Sequence, residues 1–256
     1  SETYVMAWPP YVSPAVLECL WLSKKSKKGK CLTMDQVSKS RKLKPIEEAM
    51  RMIKDGDRVM VSGFGNSGDP KMLVEALTKV NAKDLTIISN DLGSPNEGLG
   101  SLLTAGKIKG LIGNYYNWNP DVADAFNAGK ITVDLIPQGS FAEGIRAAGV
   151  GIAGFYTKTA VGTDLQGDRE IKEFNGETYL LQNAIPADVA LISAYKADEL
   201  GNLVYYKTAR NFNPLMAMAG KLVIAEVAEI VPIGSLDPES IVTPHIFVDV
   251  IVKRGC

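Results

Sequence analysis

Within the stretch DGDRVMVSGFGNSGDP, residues 55–70, Gly63, Gly65 and Gly68 have the G-x-G-x-x-G spacing of a dinucleotide-binding loop. In such a loop the third glycine lies inside the helix, so that helix and strand pack closely and the pyrophosphate meets the helix N-terminus. Here Asp69 and Pro70 follow Gly68. Asp is a favoured N-cap and Pro a favoured first helical residue, so the helix is expected to begin only after the third glycine. The letters of the fingerprint match and its geometry does not. Asp91, near the end of the next strand, is placed for a ribose contact, so a nucleotide-binding oxidoreductase using these glycines stays open as the alternative reading.

Conventional nucleophile-base pairs are scarce. His245 is the only histidine, which removes Ser-His-Asp, Cys-His and multi-histidine metal mechanisms unless another chain supplies the missing group. Cys19, Cys31 and Cys256 are far apart with no C-x-x-C pair, an argument against structural zinc and for a reducing compartment, by default the cytoplasm. Acid-base or nucleophilic work falls to carboxylates, Lys, Tyr, Ser or Cys, or else the chain holds part of an active site. Hydrophobic residues make up 46% and charged ones 22%, with a net charge of −1, so no nucleic-acid surface is expected. No window reaches the ~18 consecutive apolar residues of a membrane span. No metal site is expected.

Residues 1–33 differ from the rest: an apolar stretch with Pro9 and Pro10 precedes a lysine cluster at 24–30. The charge lies on the wrong side for a signal peptide. Two readings stand, an upstream region translated in frame before a natural start at Met34, or a weakly structured native arm. Residues 34–256 are read as one domain, large enough to bury its own core.

From residue 45 helix and strand patterns alternate. PIEEAMRMIKDG reads as helix, RVMVSG as a buried strand, PKMLVEALTKV as an amphipathic helix and LTIIS as strand. GLGSLLTAGKI, GLIGNYY, PDVADAFNAGK, ITVDLIPQG and AEGIRAAG continue the alternation. GVGIAGFYTKTAVGT carries too many glycines for a regular element and is expected as loop. REIKEFNGETYLL has the Asn-Gly of a tight hairpin, and ADVALISAY, LVYY, LVIAEV and IFVDVIV are further strands, with a helix over PLMAMAG. The fold class is α/β: an open, mainly parallel sheet with helices on both faces plus an antiparallel hairpin.

The glycine stretch carries a more specific resemblance. Asp55-Gly56, the run Val59-Met60-Val61-Ser62, Gly63-Phe64 and Gly68-Asp69-Pro70 are similar to the signature of the α subunits of family I coenzyme A transferases, with Ser62 where two glycines usually precede the Phe. Ser89-Asn90-Asp91, PQGSFAEGIRAAGVGIAGFYTKTAVGT, PADVALISAYKADELGNLVYY, ARNFNPLMAMA and IVPIGSLDPESIVTP extend the likeness in order from about residue 40 to 252.

This resemblance implies transfer of coenzyme A from an acyl-CoA to a free carboxylate through a glutamyl thioester. CoA is then a substrate, and no cofactor is implied. The nucleophilic glutamate of the family lies in a Glu-Asn-Gly motif of the β half, which this chain lacks. A β-subunit partner is therefore implied, with acetate, butyrate or acetoacetate as the carboxylates and a complex of two α and two β chains. Glu97, in Asn96-Glu97-Gly98, is a decoy read as a capping carboxylate of the first helical turn. The resemblance puts Gln138 at a strand end, facing the acyl group and helping to hold the oxyanion, with Asn90 and Tyr115 lining the same cleft. Such amides in a protein also serve simply to satisfy loop carbonyls. Gly63, Phe64 and Gly65 are expected to let backbone N–H groups approach the acyl or thioester atoms, and Gly149 and Gly151 to shape a second wall. Arg210 is read as holding a subunit interface, with a substrate carboxylate as the other possibility. Tyr115, Tyr116 and Trp118 suggest a bulkier or flatter acyl group.

Overall fold

The computed structural model describes residues 42–255. The expectation for residues 1–33 lies outside the described residues. Element order is α1 (Ile46–Met50), β1 (Arg58–Val61), α2 (Lys71–Lys79), β2 (Leu85–Ile88), α3 (Gly100–Thr104), β3 (Ile108–Gly113), α4 (Pro120–Asn127), β4 (Thr132–Leu135) and α5 (Gln138–Gly149). There follow β5 (Gly154–Thr157), β6 (Ile171–Phe174), β7 (Glu177–Asn183), β8 (Ala187–Asp198), β9 (Leu203–Val204), α6 (Asn213–Ala219), β10 (Gly220–Val231) and β11 (Val250–Lys253).

The main sheet has the order β11-β10-β8-β1-β2-β3-β4, every pair on this path parallel, with β9 antiparallel on β8. The chain steps outward from β1 to β4 and returns to place β8 on β1's other side. That reversal makes the β1/β8 junction the topological switch point, the place where open α/β sheets bind ligands beyond their strand ends. Strands with both faces buried read as continuous apolar runs, because alternate side chains enter opposite layers. Val59, Val61, Ile87 and Leu191 pack beneath α1 to α4 with Leu73, Leu77 and Leu102. Met60, Ile88, Ala190 and Ile192 face α5 and α6 with Phe141, Ile145 and Met216.

β5, β7 and β6 form a separate antiparallel sheet. Its hairpin turns at Asn175 (φ 52°) and Gly176 (φ 76°), the doubly left-handed geometry that Asn-Gly favours. The glycine-rich segment expected as loop contains β5, because β7 offers it a hydrogen-bond ladder that local composition does not reveal. LVYY keeps only two strand residues. No helix among the described residues is long and apolar enough to cross a membrane.

The helix after the glycine loop does begin past Gly68, at Lys71, but Asp69 does not cap it. Its orphan N–H groups are met from across the sheet: Glu226 Oε2 accepts from Met72 N at 2.8 Å and Leu73 N at 3.2 Å. Glu226 is fully buried, and Arg254 Nε donates to its other oxygen at 2.7 Å. A carboxylate at a helix N-terminus is stabilised by the aligned peptide dipoles, and the guanidinium offsets the burial of its charge.

Candidate functional site

Gly63 follows the end of β1 at φ 125°, a conformation L-residues rarely adopt, and a Cβ there would lie 2.9 Å from that of Asp69. Phe64 and Ser67 then exchange two backbone hydrogen bonds, closing a tight loop. The loop is held on two sides. Gly65 N donates to Asp91 Oδ2 at 2.9 Å, across the gap to the end of β2. On the other side Asn211 Nδ2 donates to Ser67 O at 2.8 Å, and the fully buried Asn213 donates to Gly68 O (3.0 Å) and Ala209 O (2.9 Å) while accepting from Ser193 N (2.7 Å).

A cluster of amides stands beside this loop. Asn90, 3% exposed, donates through Nδ2 to Asp91 Oδ2 at 2.8 Å. Its Oδ1 accepts from Gln138 Nε2 at 2.8 Å and from Asn114 Nδ2 at 3.2 Å. Asp91 Oδ1 accepts from Gly93 N at 3.1 Å, and Tyr115 N donates to Asn90 O at 3.0 Å. Tyr115 meets Trp118 edge to face with ring centroids 5.2 Å apart, and a Cβ on Gly65 would sit 3.7 Å from the Trp118 ring. Phe64, Tyr115 and Trp118 are all exposed. Tyr116 is instead buried, and burial raises its phenol well above the ordinary range, so it is a neutral group of the core. The aromatic rim is therefore Phe64, Tyr115 and Trp118, with Tyr116 removed from the trio expected from sequence.

Behind the glycine loop, between α2 and residues 92–101, lies a cleft of about 410 Å³ whose lining includes Gly63, Gly65, Asn90, Asp91 and Glu97. Glu97 is exposed and precedes α3 by three residues, so it is not the first-turn capping carboxylate expected. Among the described residues no group of three or more His, Cys, Asp or Glu is placed to hold a metal ion.

Gly63, Phe64, Gly65, Asn90, Tyr115 and Gln138 thus lie beyond the carboxyl ends of β1, β2, β3 and β4. Gln138 is the first residue of α5 rather than the end of a strand, because β4 stops at Leu135 and Pro137 sets the helix entry. Gly149 and Gly151 do not join the group. Gly149 closes α5, about 16 Å along the helix from Gln138 at 1.5 Å per residue, and a Cβ there would meet Met218 of α6 at 2.6 Å. Its glycine serves helix packing, and Gly151 is exposed in the turn beyond. Arg210 is exposed and forms no salt bridge among the described residues, whereas its neighbours Asn211 and Asn213 hold the loop.

Sequence reasoning missed the hub of the arrangement. The ribose contact that the alternative reading offers Asp91 is not what the structure shows: each of its oxygens accepts from N–H groups of this chain. Asn114, Asn211 and Asn213 were missed too. Asn residues just past buried strands, or just before a helix, were the available signal.

The sheet is doubly wound, and backbone and amide donors gather beyond the carboxyl ends of its strands on the β2 side of the switch point, the architecture of an α/β enzyme. The coenzyme A transferase family model matches residues 43–254, and the chain belongs to that family. It is therefore an enzyme of the transferase class. It is 48% identical over 206 residues to the A subunit of a probable succinyl-CoA:3-ketoacid coenzyme A transferase of Bacillus subtilis, covering 80% of this chain and 87% of that one. It is 40% identical to the alpha subunit of the acetate CoA-transferase of Escherichia coli, covering 82% and 96%. The fold is that of glutaconate coenzyme A-transferase from Acidaminococcus fermentans, with a TM-score of 0.76 at 20% identity, covering 83% of this chain and 75% of that one. These findings displace the oxidoreductase reading of the glycines.

Proposed function

We propose that this chain is the α-type subunit of a heteromeric CoA-transferase that moves coenzyme A between a short-chain or 3-oxo acyl-CoA and a free carboxylate of the acetate, butyrate or acetoacetate class. A glutamate of a β-type partner attacks the thioester carbonyl and CoA thiolate leaves, giving a mixed anhydride. The thiolate then attacks the glutamyl carbonyl, releasing the first carboxylate and leaving a glutamyl thioester; the second carboxylate runs the steps in reverse. This chain's part is to meet the oxyanion that each attack creates. Gln138 is exposed and commits one N–H to Asn90, which leaves the second for that oxygen, and the glycine loop adds backbone donors.

One observation carries the division of labour. The carboxylate inside the amide cluster, Asp91, is engaged by three N–H donors of the chain itself, Gly65 N and Asn90 Nδ2 on one oxygen and Gly93 N on the other, which supports a role in holding the cluster rather than in attacking a thioester. The relatives named above are the A or alpha subunits of their enzymes, which supports a partner chain here. A complex of two α and two β chains in the cytoplasm completes the proposal. Co-expression with a β-type partner, followed by transfer assays over a panel of acyl donors and carboxylates, tests it: transfer among short acids is expected, and a complex inert toward all of them rejects it.

A further inference from the structure

We infer that Asp91 is a positioning residue whose carboxylate dictates which way the Asn90 and Gln138 amides face. The kinetic part of the test rests on the CoA-transferase reading; the structural part does not.

The reasoning starts from which atoms are able to accept. Asp91 Oδ2 receives Gly65 N and Asn90 Nδ2, and Oδ1 receives Gly93 N. Every one of these neighbours is an N–H donor, so the carboxylate acts as acceptor alone. The Asn90 amide must turn its NH2 toward Asp91, which leaves Oδ1 facing the other way. That oxygen stands 2.8 Å from Gln138 Nε2 and 3.2 Å from Asn114 Nδ2. Reversing either amide would set two carbonyl oxygens against each other with no proton between them. Gln138 is thereby obliged to spend one N–H on Asn90 and to keep Nε2, with its second N–H, on the side of the amide nearest the cluster.

Asn114 bears the cost of this polarity. Its Oδ1 is buried and has no hydrogen-bond partner among the described residues. A buried unpaired acceptor costs about 1–3 kcal/mol, and an Asn free to rotate its amide would avoid it. The orphan follows directly if Asn90 Oδ1 demands an N–H from Asn114. A signal that begins at an anion thus passes through Asn90 to Gln138, and the same anion grips the glycine loop through Gly65. One residue sets the direction of the side-chain donor and the position of the loop that carries the backbone donors.

The test uses the chain in complex with its β-type partner. Asp91→Asn replaces the acceptor-only group with an amide whose NH2, when turned toward Asn90, lets the Asn90 amide reverse and gives up the Gly65 contact. We expect kcat to fall at least tenfold, toward the 10²–10³ typical of losing an oxyanion donor, with KM for both substrates within about threefold. In a Gln138→Ala background the same substitution should cost clearly less, what remains being the share that runs through Gly65 and the glycine loop. Exchanging the pair, Asn90→Asp with Asp91→Asn, again presents an acceptor-only oxygen to Gln138 and Asn114 and should recover the part of kcat that runs through Gln138, while the hold on Gly65 N stays weakened. Asn90→Ala removes the middle amide while leaving Asp91 on Gly65 and Gly93, and it replaces Asp91→Asn should that variant fail to fold.

A structural readout runs beside the kinetics. The chain has four glutamines, Gln36, Gln138, Gln166 and Gln182, so selective ¹⁵N labelling gives four side-chain amide signals, and Gln138→Ala identifies one. The proton given to Asn90 should be shifted downfield in the parent complex, return toward the position of a free glutamine amide in Asp91→Asn, and shift downfield again in the exchanged pair. Equal kinetic losses in both backgrounds without recovery, or an unchanged Gln138 signal in Asp91→Asn, overturns the proposal. A parent complex that transfers no CoA defeats the functional reading instead, and the amide spectrum then decides the positioning role alone.

Discussion

Replacing Glu226 with alanine tests the idea that α2, and with it the end of the glycine loop, is anchored from the far side of the sheet. The side chain is fully buried and satisfies Met72 N and Leu73 N at the start of α2 while pairing with Arg254. Its removal orphans two helix-terminal donors, at about 1–3 kcal/mol each where water cannot enter. It also strips Arg254 of its counter-charge, a smaller loss because that side chain is 42% exposed. Breaking a buried pair by deleting one member costs about 3–5 kcal/mol in general, and we expect that range here. For a domain of this size each kcal/mol lowers Tm by about 2–4 °C, so a fall of about 6–20 °C is expected in a thermal melt. Arg254→Leu should destabilise too, and the two substitutions together should cost less than their sum, because they delete one contact. A Tm drop under about 2 °C for Glu226→Ala, or strict additivity, would refute the reasoning.

Gly63→Ala places a Cβ in a left-handed, crowded position 2.9 Å from Asp69 Cβ, and should lower stability by about 1–3 kcal/mol in urea unfolding and depress transfer activity in the complex. Asn213→Ala unpins the loop and leaves Ser193 N without its acceptor; a loss of about 2–4 kcal/mol is expected by chemical denaturation. Glu97→Gln should leave transfer in the complex within about threefold, whereas loss of a true nucleophile removes activity by orders of magnitude. Asp188 is held below the usual carboxylate range, first by the Arg58 backbone N–H and then by the Lys221 ammonium. Its folded-state pKa lies below the unfolded value of about 3.9, so its contribution is present above about pH 4 and is lost as pH falls through the folded value. The stability difference between Asp188→Asn and the parent, followed by unfolding at stepped pH, should therefore shrink below about pH 4 and hold steady above about pH 5.

The layered parallel sheet was legible because strands buried on both faces write uninterrupted apolar runs, and Asn175-Gly176 announces its own turn. What could not be read were interactions set by residues far apart in the chain. β5 is a strand only because β7 lies beside it, and α2 takes its cap from Glu226, more than 150 positions away. The same limit applied to the site. Asn90, Gln138 and the glycines can be picked out individually, but the sequence offers the carboxylate joining them only a ribose contact under the alternative reading, since nothing local tells a free Asp from one engaged by two backbone N–H groups and a neighbouring amide. Gly149, set aside for a substrate wall, serves the closeness of α5 to α6. A glycine required for packing and one required for a ligand look alike in sequence.

The central claim, that the chain contributes half of a thioester cleft and none of its nucleophile, is tested most directly by trapping the intermediate. The α-type chain, alone and with its β-type partner, is incubated with acyl-CoA, and each polypeptide is weighed by mass spectrometry. The account predicts a CoA adduct on a glutamate of the partner in the complex, with this chain unmodified in both samples. A CoA adduct on this chain, at Glu97 or elsewhere, would contradict it.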